Sequence, residues 1–203
     1  PDFVHLNGFK PALTTLCKEK GLPFVVTAHH PGVVCPAGLR LNEREEICNE
    51  VARTEVCVPC CCKQRARSQW LGSALAALPE KVSRIAAQAS GLNGPLGKPL
   101  RAVAYPAAIR ESLKSKAQVW EQAPLWIAPS RAMAGFLRLQ GIPESRILHI
   151  PHGMEPVTGV APVLSGSGPV RFGYLGGASR VKGLNILMDA ASRMHSSTSF
   201  ELH

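Results

Sequence analysis

The sequence predicts an α/β fold in which short parallel strands alternate with helices, set out as two consecutive domains. Three observations predict it. Short apolar runs bounded by Gly and Pro recur at 3–6, 23–28, 125–128, 146–150 and 170–175, as buried strands do. Helix-length segments with recognisable start or stop residues lie between several of them. A stretch rich in Pro, Gly and Ser at 151–169 then interrupts the alternation. Residues 1–155 are read as the first domain, 156–169 as a linker and 170–203 as the start of the second.

In the first domain, Phe3–Leu6 reads as a strand and Pro11–Lys20 as a helix. Gly21 stands where a helix-ending glycine belongs, and a second strand follows at 23–28. Cys17 fills the apolar face of that helix. A strand–helix–strand unit of this kind implies a parallel pair with a right-handed crossover. Residues 31–64 form a Cys-rich insertion with little periodic signal. Residues 64–90 read as helix interrupted at Pro79, and 91–99 as a loop. Leu125–Ala128 is the next strand. Ser130 is a good N-cap for the helix after it, whose Met133, Phe136 and Leu137 share one face. Gly141 ends that helix and Arg146–Ile150 is the following strand.

Past the linker, Val170–Leu175 reads as a strand, 176–183 as a glycine-containing loop and Leu184–His195 as a helix. Leu184, Leu187, Met188 and Ala191 are expected on its buried face, and Phe200–His203 opens a further strand.

Composition narrows the class. At 45% hydrophobic residues the 203-residue chain can bury a core, and it has no apolar run long enough to span a membrane. It starts with neither Met nor a basic leader, so it reads as a fragment already inside a strand. The net charge of +9 favours an anionic partner. The tight basic cluster at 63–70 lacks interleaved aromatics, so no nucleic-acid partner is expected and a solvated basic face is the plainer account. Seven cysteines, five of them within 48–62, suit a reducing compartment better than a secreted disulfide domain.

Three segments carry a resemblance: "PFVVTAHHPGVVCPAG" (23–38), "LWIAPSRAMAGFLRLQGIPESRILHIPHGME" (125–155) and "FGYLGGASRVKG" (172–183). In this order they resemble the retaining glycosyltransferases of family 4. The first is similar to a strand ending in T-x-H-D with Cys-Pro soon after. The second is similar to a strand ending in P-S, a helix and a strand running into I-P-N-G. The third is similar to the glycine loop that opens the nucleotide-binding domain. The resemblance spans nearly the whole chain and implies a GT-B fold, two Rossmann-like parallel-sheet domains, both truncated here. It places the family's E-x7-E segment beyond His203 and its acceptor-side glycine loop before Pro1, so the chain alone is expected to be inactive.

What the resemblance implies for function is transfer of a sugar from a nucleotide-diphosphate donor to a hydroxyl acceptor with retention of anomeric configuration. The acceptor would be a carbohydrate or a lipid-linked molecule, and the setting cytoplasmic, at most peripheral at the inner face of a membrane. The basic stretch 110–120 could meet an anionic membrane there, a solvated helix being the plainer reading. No cofactor is required for catalysis.

The resemblance assigns His29 to the donor sugar at the interdomain cleft, as the candidate catalytic residue. Its neighbour, usually Asp, is His30, and His152 stands where Asn is common, with Gly153 keeping the interdomain turn. Gly176, Gly177 and Gly183 would let a diphosphate approach backbone N–H groups at a helix start, with Lys182 and Arg180 supplying positive charge. The position usually held by Arg is Gly177, for which Arg180 would have to compensate. A plain strand-to-helix turn with two solvated cations is the bland alternative.

Cys35, Cys48, Cys57 and Cys60 follow C-x12-C-x8-C-x2-C. Four thiolates with one C-x2-C pair could enclose a structural zinc or an iron–sulfur cluster, while reduced, unligated thiols in an ordered loop are the alternative. Some family members carry a similar Cys-rich insertion here. The rival to an enzyme is a non-catalytic Rossmann-like binding module with a Cys-rich metal site. A nucleotide-sugar epimerase would need G-x-x-G-x-x-G and Tyr-x-x-x-Lys. Tyr105 and Tyr174 are instead followed four residues on by Ile109 and Ala178.

Overall fold

A computed structural model of the chain describes residues 2–66, 68–89, 97–153, 159, 168–178, 182–194 and 199–203. The chain divides into two compact units, Pro1–Met154 and Glu155–His203. Both are mixed α/β with parallel strands.

The first unit is built on a sheet of β1 (Val4–Asn7), β2 (Phe24–Thr27), β3 (Trp126–Ala128) and β4 (Ile147–His149). The spatial order is β1-β2-β3-β4 and every pairing is parallel. Leu6, Val26, Trp126 and Ile147 stand opposite one another in register, so one buried row crosses the whole sheet. All four residues of β2 are buried, which explains why the strand reads as a continuous apolar run rather than an alternating one.

Helix α1 (Pro11–Glu19) joins β1 to β2 and buries Thr14 and Cys17, one helical turn apart. Its fixed Pro11 opens the first turn, and Gly21 beyond its end takes a left-handed φ of +64°. Helix α6 (Arg131–Leu139) joins β3 to β4. The Ser130 hydroxyl accepts from the Met133 N–H, Met133 and Leu137 are buried, Phe136 is half-buried, and Gly141 turns the chain at φ +83°.

Between β2 and β3 lie α2 (Thr54–Ala66), α3 (Gln69–Ala76), α4 (Glu80–Ala89) and α5 (Gly97–Gln122). Two of these differ from the sequence reading. The second half of the Cys-rich insertion is the helix α2, continuous through Pro59. The expected loop 91–99 overlaps the start of α5 at Gly97–Pro99, and 91–96 lie outside the described residues. The reason is packing. One side of α5 presents Val119 to the sheet core, while Ile109 and Leu113 meet Val58, Cys61 and Cys62 of α2 in a second core. A helix buried on more than one side shows no single apolar stripe.

The same packing corrects the view of 110–120 as a solvated basic helix. Leu113, Lys116 and Val119 are buried. The Lys116 ammonium donates to the Gly32 carbonyl and lies 4.2 Å from the centre of the Phe9 ring. No helix among the described residues is long and apolar enough to cross a membrane.

The second unit pairs β5 (Val170–Phe172) with β6 (Phe200–Leu202) in parallel, with α7 (Leu184–Ser192) between them in sequence. Arg171 and Glu201 pair across the strands at 3.2 Å, and Phe172 meets Phe200 edge-on. The expected strand stops at Phe172, and Leu175 is fully exposed. The expected buried face of α7 is only partly formed. Leu184, Leu187 and Ala191 are half-buried and Met188 is exposed. Two strands and one helix offer too little area to cover it.

Candidate functional site

In open parallel sheets, ligands gather outside the carboxyl ends of the strands. At that edge of the first unit, β2 runs through Ala28 into His29. The His29 imidazole lies 3.0 Å, Nε2 to Oδ1, from Asn7 at the end of β1. Where the Asn7 amide oxygen accepts from Nε2–H, the neutral ring leaves Nδ1 as an acceptor. His152, three residues beyond β4, stacks on the same ring at 5.4 Å between centroids and 9° between planes. Three separate strand ends therefore hold one exposed imidazole in place. Beside it, His5 Nε2 and Thr27 Oγ1 are 2.6 Å apart, which ties β1 to β2 immediately below the site.

His30, the departure from the resembled pattern, has a local job. Its Nδ1 accepts the Gly32 N–H at 3.0 Å and caps the 3-10 turn Pro31–Val33. Gly153 keeps a backbone outside the left-handed region, and a Cβ there would touch nothing within 4 Å. The N-terminus of α6 opens at the end of β3, bringing a positive helix end to this edge of the sheet.

In the second unit, Gly183 takes φ +76° as the cap of α7, a conformation that suits glycine. A Cβ on Gly176 would stand 2.8 Å from the Tyr174 hydroxyl, so the ring occupies the space a side chain would need. That hydroxyl donates to the Gly177 carbonyl at 3.0 Å and lies 3.5 Å from the Lys182 carbonyl. Tyr174 thus bridges both arms of the loop, a role the sequence reading missed. Gly177 is open on its Cβ side and Lys182 is exposed. Arg180 lies outside the described residues.

Cys35 follows the 3-10 turn, Cys48 follows the antiparallel bridge Leu41–Ile47, and Cys57 and Cys60 are one turn apart on α2. All four are half-buried, carry free thiols and line one cavity of about 20 Å³. Burial pushes the Cys57 thiol up. Cys60 is pushed up to about 11 by burial, then by the charges of Glu43, Cys48, Cys35 and Cys57. Cys61 and Cys62 are buried in the second core. Among the described residues, no three His, Cys, Asp or Glu side chains already converge as ligands of one ion.

A cavity of about 970 Å³ lies elsewhere, along α4 and α5. Four of its cations are engaged locally: Arg84 with Glu80, Arg65 over the Tyr105 ring, Arg110 with the Ser83 hydroxyl and Arg101 with the Gly97 carbonyl.

Compared with family models, with curated proteins and with solved structures, the chain matches none.

Proposed function

We propose that this chain belongs to a retaining glycosyltransferase of the two-domain GT-B type, moving a sugar from a nucleotide-diphosphate donor to a hydroxyl acceptor. The observation that carries the reading is the His29 imidazole at the carboxyl edge of a parallel sheet. It is held there by Asn7 and His152, and Nδ1 is left as an acceptor when the proton lies on Nε2. A positioned acceptor of this kind suits a donor-sugar hydroxyl. Support also comes from the loop Gly176–Gly183, which combines open backbone at Gly177 with the exposed Lys182 ahead of a helix start. As the bond from the anomeric carbon to the phosphate oxygen breaks, its electron pair passes to the leaving diphosphate, the acceptor hydroxyl oxygen bonds to that carbon from the same face, and the hydroxyl proton passes to the diphosphate oxygen. Lys182 and the loop N–H groups favour that developing charge.

The test is sugar transfer from a panel of uridine and guanosine diphosphate sugars by the full-length protein. Lys182→Ala is expected to lower kcat/KM by about 30- to 1,000-fold, corresponding to ~2–4 kcal/mol of transition-state stabilisation. An unchanged kcat/KM overturns the role of Lys182. Donor binding without turnover favours the non-catalytic binding module instead.

A further inference from the structure

The Cys-rich insertion poses a separate structural problem. Residues 34–53 run from the end of the 3-10 turn to the start of α2 with no helix or strand, only the single bridge Leu41–Ile47. Two non-glycine residues in it, Arg40 and Glu45, adopt left-handed backbone at φ +59° and +65°. Loops of this length inside a compact domain need something beyond their own hydrogen bonds to fix them.

The cysteines sit where such a fixing point would act. Cys35 stands at the start of the irregular segment and Cys48 in its second half, and Cys57 and Cys60 lie one turn apart on α2. All four line the same cavity of about 20 Å³, roughly the room of one water-sized sphere. None is in a disulfide.

One side-chain donor and one buried cation reach the cluster, although burial by itself favours the neutral thiols of Cys57 and Cys60. Gln64 Nε2 donates to the Cys60 Sγ at 3.5 Å. Donors of this kind are what orients and tunes thiolate ligands from the next layer out. Arg40 is only 3% exposed and also lines the cavity. Its Nη2 donates to the Glu50 carbonyl at 2.7 Å and its guanidinium lies over Phe136, yet its buried Nε has no hydrogen-bond partner. A buried guanidinium with an unused donor calls for an anion beside it.

We propose that Cys35, Cys48, Cys57 and Cys60 form a tetrahedral tetrathiolate site for one divalent ion of the zinc class, with Arg40 as a balancing cation. Four thiolates around a divalent ion leave a net double negative charge, part of which Arg40 offsets. The thiols do not yet converge, so binding requires them to turn inward about χ1 to reach sulfur–metal distances of about 2.3 Å. The ion cross-links two points of the irregular segment, Cys35 and Cys48, to α2 and so holds it against the second core. Cys61 also lines the cavity, but it is buried with Cys62 against Val58, Ile109 and Leu113, and both are left out of the ligand set. The site is structural and independent of the glycosyltransferase reading: either can fail alone.

The experiment uses the 203-residue chain, purified under reducing, anaerobic conditions, with metal content measured by elemental analysis. About one zinc per chain is expected. The double variant Cys57→Ser/Cys60→Ser is expected to fall to near zero, while Cys17→Ala, altered in the sheet core, keeps the full ratio. Should the double variant not fold, titrating the unaltered chain with Co²⁺ alone gives an independent answer. Intense thiolate-to-cobalt and visible bands of a tetrahedral tetrathiolate site, saturating at one ion per chain, support the proposal. A chelator that removes the ion should also lower Tm. No stoichiometric metal, bands of an octahedral oxygen site, or iron with inorganic sulfide would each overturn it.

Discussion

Arg146 holds the carboxyl end of the longest helix. Its guanidinium, at the end of the 3-10 turn Glu144–Arg146 that leads into β4, reaches the last carbonyls of α5. One Nη2 donates to Trp120 O at 2.6 Å and to Ala123 O, with Glu121 O at 3.4 Å. The last carbonyls of a helix have no partner within it, and a cation there also meets the negative end of the dipole. Ala123 is fully buried, so its carbonyl cannot turn to water once the guanidinium is gone, whereas Glu121 is exposed and can. The structure therefore offers about one or two hydrogen bonds of consequence, each to a charged donor and worth ~1.5–3 kcal/mol. The dipole adds ~0.3–1 kcal/mol. Because one nitrogen serves both bonds they do not add fully, and Arg146→Ala is expected to cost ~2–3 kcal/mol. For a unit of this size that lowers Tm by about 5–10 °C. Trp70, Trp120 and Trp126 all lie in the first unit, so urea unfolding followed by tryptophan fluorescence reports on it alone. Arg146→Lys, able to reach one carbonyl, should recover about half of the loss. A loss below ~0.5 kcal/mol for Arg146→Ala would show that water satisfies the end of α5.

Gly72→Ala on α3 should destabilise by ~1–3 kcal/mol, against the usual helix preference for Ala, because the new Cβ would lie 2.5 Å from the Lys63 Cα. A higher urea midpoint for that variant would refute the close approach of α2 and α3. Burial lowers the pKa of Lys116 below its ordinary 10.5, with the charge of Cys35 opposing. Between the folded value and 10.5 the unfolded chain binds more protons, so this residue's contribution to stability rises with pH across that window. The stability of the unaltered protein minus that of Lys116→Met should therefore climb as pH approaches about 10, and a flat or falling difference would contradict a buried ammonium.

The parts legible in the sequence are those that short-range chemistry dictates. Pro11 and Gly21 bracket α1, Ser130 and Gly141 bracket α6, and each does so through backbone conformations or caps that neighbouring residues supply. His29 was visible as a side chain at the end of an apolar run, and the four cysteines as a spacing. Most of α2 and the first half of α5 were not legible, because each contains a proline and neither helix shows a single apolar stripe, while 110–120 was read as helix but not as buried. Both are made stable by burial against each other, a property of the pair.

Sequence alone thus determined which segments become strands of a parallel sheet, where α1 and α6 begin and end, and which residue types are available for chemistry. Tertiary structure decided which of those residues meet. It laid His152 on His29, brought Asn7 to the same ring and gathered thiols from three segments around one cavity. It also carried the charges of Arg40 and Lys116 inside, where local polarity would leave them in water. Caps and turns act over three or four residues and can be read along the chain. Stacking, charge burial and cavity lining depend on where distant segments are carried by the sheet and by α5, and no local pattern encodes that placement.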